Sequence, residues 1–106
     1  IKMEDFFIYD ERLGIPIPHL KLDFAIYPPI VQKAILKRWE QIRGKIPERI
    51  QDIEGIINHK LNQLNDEDDF EVSCTLNYEI AEHASIINDL WIWYRTEQEL
   101  TGKTHL

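Results

Sequence analysis

The stretch Tyr78–Arg95, YEIAEHASIINDLWIWYR, holds two of the three tryptophans and the densest apolar run of the chain. At about 100° per residue, Ile80, Ala84, Ile87, Leu90, Trp91 and Tyr94 fall on one face of a helix, and Ile86 and Trp93 widen that face to roughly half the circumference. One neighbouring helix cannot cover so wide an arc. The pattern predicts a helix packed on more than one side, by its own chain or by a second copy, with Ile86, Trp91, Ile92, Trp93 and Tyr94 as interface residues.

Upstream of this stretch, Phe70–Leu76 fits two periods. Phe70, Val72, Cys74 and Leu76 alternate with polar residues, as in a strand that would pair with Leu20–Ile26. Val72 and Leu76 also extend the helical stripe backward, with Asp69 as its N-cap. The helix is preferred, because an isolated two-stranded ribbon stabilises little. Thr101-Gly102 then predicts a helix end near Leu100 and a disordered tail over 101–106. Before the acidic turn Asn65–Asp69, a second helix from Pro47 to Asn65 carries Ile50, Ile53, Ile57, Leu61 and Leu64, with Glu48 in its first turn. The acids of that turn lack the ligand spacing and the central glycine of a calcium loop.

A first helix starts at Pro28-Pro29, since proline is tolerated where the amide has no partner, and runs to Arg43 with the stripe Val31, Ile35, Trp39, Ile42. Gly44 is placed to end it in a left-handed cap. Residues 1–27 carry Gly14, Pro16 and Pro18 and then alternate through Leu20, Leu22, Phe24 and Ile26, which predicts an extended arm laid over the helices. The expected fold is mainly α and a single domain over 1–106. Two helices meet at a kink, a long C-terminal helix returns along the second, and the arm of 1–27 covers the core of 28–100. An α+β fold with a small two-stranded sheet is the alternative.

The formal charge of −7 disfavours nucleic acid and anionic membrane surfaces, which reward net positive charge. No apolar run approaches the roughly 18 to 20 residues that span a bilayer, and the first ten residues lack the pattern of a signal peptide. The single cysteine, Cys74, excludes an internal disulfide, and these features together lead to the expectation of a cytoplasmic protein. Basic residues gather on the first helix, where Lys33, Lys37 and Arg38 form a possible anion-facing side.

Glu79 and His83 lie one turn apart beside the apolar arc, a spacing that suits two ligands of one metal ion, but no third ligand is apparent. The simpler account pairs Glu79 with Lys60, which intrudes on the apolar arc of the second helix and lies near Glu79 across a helical hairpin turning close to Glu67. Glu79-Ile-Ala-Glu82 resembles the first half of the E-x-x-E signature of all-helical nucleotide pyrophosphohydrolases. That resemblance implies magnesium held by carboxylates, here Glu79 and Glu82 with His83 and Asp89. The chain departs from the family's second half: Ile86 stands three residues before Asp89 where a glutamate is required, and Asp89 is on the same helix. The expected function is therefore a small non-enzymatic interaction or regulatory protein, a homodimer or the partner of another protein, without cofactor. A metal-dependent hydrolase using Glu79, Glu82, His83 and Asp89 is the alternative.

Overall fold

The computed structural model describes residues 2–96. Its three α-helices are α1 (Pro29–Arg43), α2 (Ile46–Asn65) and α3 (Phe70–Tyr94), preceded by a short antiparallel hairpin of β1 (Phe7–Asp10) and β2 (Ile15–Pro18). The fold is mainly α. Val31, Ile35, Trp39 and Ile42 form the buried stripe of α1, and Ile46, Ile50 and Ile53 that of α2. Gly44 does not adopt the left-handed cap: at φ −61° and ψ −20° it stays right-handed and donates its N–H to the Glu40 carbonyl at 3.0 Å. The chain therefore bends through Gly44-Lys45 without reversing, and α2 continues the direction of α1.

The reversal comes instead at the acidic turn between α2 and α3. Asp69 accepts the Val72 N–H at 3.1 Å, so Phe70–Leu76 forms the opening turns of α3 and does not pair as a strand. At its other end α3 closes at Tyr94, earlier than Leu100. The Thr96 hydroxyl donates to the Ile92 carbonyl at 2.6 Å there. Leu100 and the tail at 101–106 lie outside the described residues.

The N-terminal segment carries more structure than an extended arm. Phe7 pairs with Pro18, Ile8 with Ile17, Tyr9 with Pro16 and Asp10 with Ile15. Prolines are tolerated in β2 because each strand of a two-stranded ribbon pairs along only one edge. Gly14 closes the loop at φ +76°, where a Cβ would lie 2.7 Å from Arg49 Nε. Leu20–Ile26 is not a strand. It is a loop ending in a 3-10 turn at Phe24–Ile26, with Phe24 buried, Leu20 half-buried, and Leu22 and Ile26 exposed.

Two apolar clusters result. The larger gathers Leu13, Ile15, Trp39, Ile42, Ile46, Ile50, Ile53 and Leu90 at the α1–α2 bend. The smaller gathers Phe24, Val31 and Ile35 under the N-terminal loop. Both lie toward one end of a particle measuring 60 × 29 × 20 Å, whose radius of gyration of 17.9 Å exceeds the roughly 13 Å of a compact chain of this size. The α2–α3 hairpin projects beyond them. No helix among the described residues is long and apolar enough to cross a membrane.

Candidate functional site

α3 presents two different faces, each following the alternating three- and four-residue spacing of helix-pairing seams. The inner one runs through Leu76, Ile80, His83, Ile87, Leu90 and Tyr94, with Ile86 and Trp93 beside it, against the α2 positions Ile46, Ile50, Ile53, Ile57, Lys60 and Leu64. Ile86, Ile87, Trp93 and Tyr94 all pack on the larger cluster. The Trp93 ring meets Trp39 edge-on at 5.7 Å, and the Arg43 guanidinium lies 5.1 Å above the Tyr94 ring while its Nε donates to the Tyr94 carbonyl. Ile86, Trp93 and Tyr94 thus pack against their own chain. The side of the apolar arc that turns toward α1 accounts for them. Trp91 and Ile92 remain exposed.

Lys60 breaks the inner seam, and its Nζ donates to Glu79 Oε1 at 3.1 Å, with the lysine side chain 20% and the glutamate 41% exposed. One turn on, the His83 Nδ1–H donates to the Glu79 carbonyl at 2.7 Å; a carbonyl only accepts, which fixes the proton on Nδ1. Asp89 is bound by Arg12 Nη1 at 2.8 Å, and Arg12 Nη2 donates to Ser85 Oγ at 2.9 Å. Glu82 is exposed. Glu79, Glu82, His83 and Asp89 are therefore not drawn together, and among the described residues no three of His, Cys, Asp and Glu gather as a metal-holding group.

The basic side of α1 is also dispersed. Lys33 and Lys37 are exposed, whereas Arg38 lines a cleft of about 250 Å³ with Lys45, Glu48, Arg49 and Asp52 between the hairpin and the bend. Cations and carboxylates mix there, so the cleft has no strong preference for an anion.

The outer seam of α3 leaves little trace in the hydrophobic periodicity. Phe70, Cys74, Asn77, Ala81, Ala84, Asn88 and Trp91 recur at alternating spacings of four and three, with Tyr78, Ser85 and Ile92 alongside, and all are exposed. Phe70 at 79% and Tyr78 at 68% are conspicuous for aromatic residues. No charged residue lies in this seam, although the flank beside it carries Glu71, Glu82 and Asp89. A solvated helix face is ordinarily dominated by charges, so an uncharged strip along a helix about 37 Å long has the composition of a packing surface.

Compared with known proteins, the chain significantly matches no family model, no curated protein and no solved structure. The partial pyrophosphohydrolase motif thus gains no support.

Proposed function

We propose that the chain is a small non-enzymatic protein that acts by binding another protein surface through the outer face of α3. The observation that carries this reading is the uncharged seam from Phe70 to Trp91, exposed along its whole length while the opposite face of the same helix is filled by its own chain. Burying exposed aromatic and aliphatic groups such as Phe70, Tyr78 and Ile92 supplies binding free energy at about 25 cal/mol per Å² of apolar area removed from water. Few charges would need desolvation in the process. A cytoplasmic setting belongs to the same reading, with the exposed free thiol of Cys74 kept reduced. The hydrolase alternative has no specific observation in its favour.

Site-directed photo-cross-linking tests this. A photoreactive residue at Ala84 or Asn88 should give discrete protein adducts, and the same residue at Asn58, exposed on α2, should not. Equal labelling at all three positions, or adducts at none, would reject the α3 face as an interaction surface.

A further inference from the structure

We propose that the outer face of α3 is covered by a second copy of the chain, the two helices running antiparallel about a two-fold axis at Ala81. This rests on the reading of that face as an interaction surface. It goes further by naming the occupant.

The first argument is self-complementarity, the requirement of any interface in which the same patch meets itself. With Ala81 on the axis, antiparallel pairing places Phe70 opposite the partner's Ile92, Cys74 opposite the partner's Asn88, and Tyr78 opposite the partner's Ala84. Small side chains then meet at the centre, where the two backbones are closest, and bulky residues meet near both ends. Phe70 and Tyr78 thus each face a residue that buries it or leaves it room, while Trp91 falls opposite the partner's Glu71 at the rim of the strip. A parallel arrangement sets every residue against its own copy: Phe70 on Phe70 at one end and Trp91 on Trp91 at the other.

Charge is the second argument. No lysine or arginine occurs between Lys60 and Arg95, and Asp66, Glu67, Asp68, Asp69 and Glu71 crowd the turn end of the hairpin. The opposite end, at the bend, carries the exposed Arg95 and mixes Arg12, Lys45 and Arg49 with Asp10, Glu48, Asp52 and Asp89. Antiparallel pairing keeps the two acidic turns at opposite ends of the pair and sets each beside the mixed-charge bend of the other copy, next to its exposed Arg95. Parallel pairing superimposes the two acidic ends. The favoured alignment is therefore the same on steric and electrostatic grounds.

A strip about 37 Å long and roughly 12 Å wide removes about 450 Å² from each copy, so the pair sits at the low end of specific interfaces and should be concentration-dependent. Light scattering after gel filtration should show a mass rising from 12.7 kDa toward twice that between low and high micromolar protein. Ala81→Glu puts two carboxylates on the axis and should weaken association at least tenfold. Its circular dichroism should be unchanged, because Ala81 is exposed in the single chain. Asn88→Cys should give a covalent dimer on mild oxidation through the native Cys74. The two thiols lie about 21 Å apart along one helix and cannot join within a chain. The Cys74→Ser, Asn88→Cys double variant should stay uncross-linked. A covalent dimer from that double variant would mean parallel pairing and overturn the proposal. A strictly monomeric wild type at high micromolar concentration would overturn self-pairing and leave the α3 face to a different partner. A dimer indifferent to Ala81→Glu and not cross-linked by Asn88→Cys would place the contact elsewhere and overturn the pairing, whereas the reading of the α3 face falls only with the photo-cross-linking at Ala84 and Asn88.

Discussion

Lys60 occupies a position where the spacing of Ile46, Ile50, Ile53, Ile57 and Leu64 asks for an apolar side chain, and Glu79 answers it across the hairpin. Since Glu79 is 41% exposed, water screens the pair, and Glu79→Ala should cost about 1 kcal/mol or less. Adding Lys60→Met should return stability to within about 0.5 kcal/mol of the starting protein, because the unpaired ammonium is removed and the seam becomes continuous. Urea denaturation of the four proteins checks this; additive, unrescued losses would refute a coupled pair. Gly14 is constrained differently. Gly14→Ala meets both a positive φ and the Arg49 guanidinium, whose Nε donates to the Leu13 carbonyl at 3.0 Å. A loss of about 1 to 3 kcal/mol is expected in thermal melts, smaller when Arg49→Ala is already present. The first of these contacts was legible in the sequence, since two helix periods and one turn position suffice to face Lys60 toward Glu79. The second was not. Nothing in the order of residues brings Arg49 to Gly14 until the hairpin is docked on the bend.

Among the elements, α3 depends on Asp69, the cap whose carboxylate accepts the Val72 N–H. Asp69→Ala should lower stability by about 1 kcal/mol, and Asp69→Asn by less, measured by thermal denaturation. The α2–α3 hairpin should also be graded in stability along its length. Ile46, Ile50, Ile53 and Leu90 lie fully buried at the bend, whereas toward the turn Leu76 is the one buried residue of α3 and Leu61 and Val72 are exposed. Native-state hydrogen exchange should therefore find amides near Ile50, Ile53 and Leu90 opening only with global unfolding. Those between Lys60 and Ile80 should open at lower free energy. At low micromolar protein, where the chain is expected to be monomeric, uniform protection along both helices would contradict the gradient. Helix boundaries were readable because proline, capping aspartate and periodic isoleucines agree. The outer seam is not legible in the sequence because alanine, asparagine and cysteine scarcely register in a hydrophobic period, which Trp91–Tyr94 dominate.

At the scale of the whole molecule, the segment before α1 contributes to the core: Leu13, Ile15 and Phe24 are buried in the two clusters. A chain beginning at Pro28 should keep much of its far-ultraviolet helical signal but melt broadly, without a cooperative transition, because α1 would lose the partners of Val31, Ile35 and Trp39. A sharp transition near that of the full chain would show the segment to be dispensable. The sequence made this segment apolar without making it interpretable. Pro16 and Pro18 argue against a strand, and the hairpin is permitted because both stand at positions of the ladder where the backbone N–H would point away from β1, so no pairing bond is lost. The same packing sets a schedule for the chain as it is made. Leu13 and Ile15 leave the ribosome first, yet their cluster is completed by Leu90, and at about 5 to 20 residues per second the interval is several seconds. Throughout that time the hairpin has no finished surface to dock on. Its short edges and its two prolines then serve a further purpose, keeping an early-emerging apolar ribbon from recruiting strands of other nascent chains before its own helices arrive.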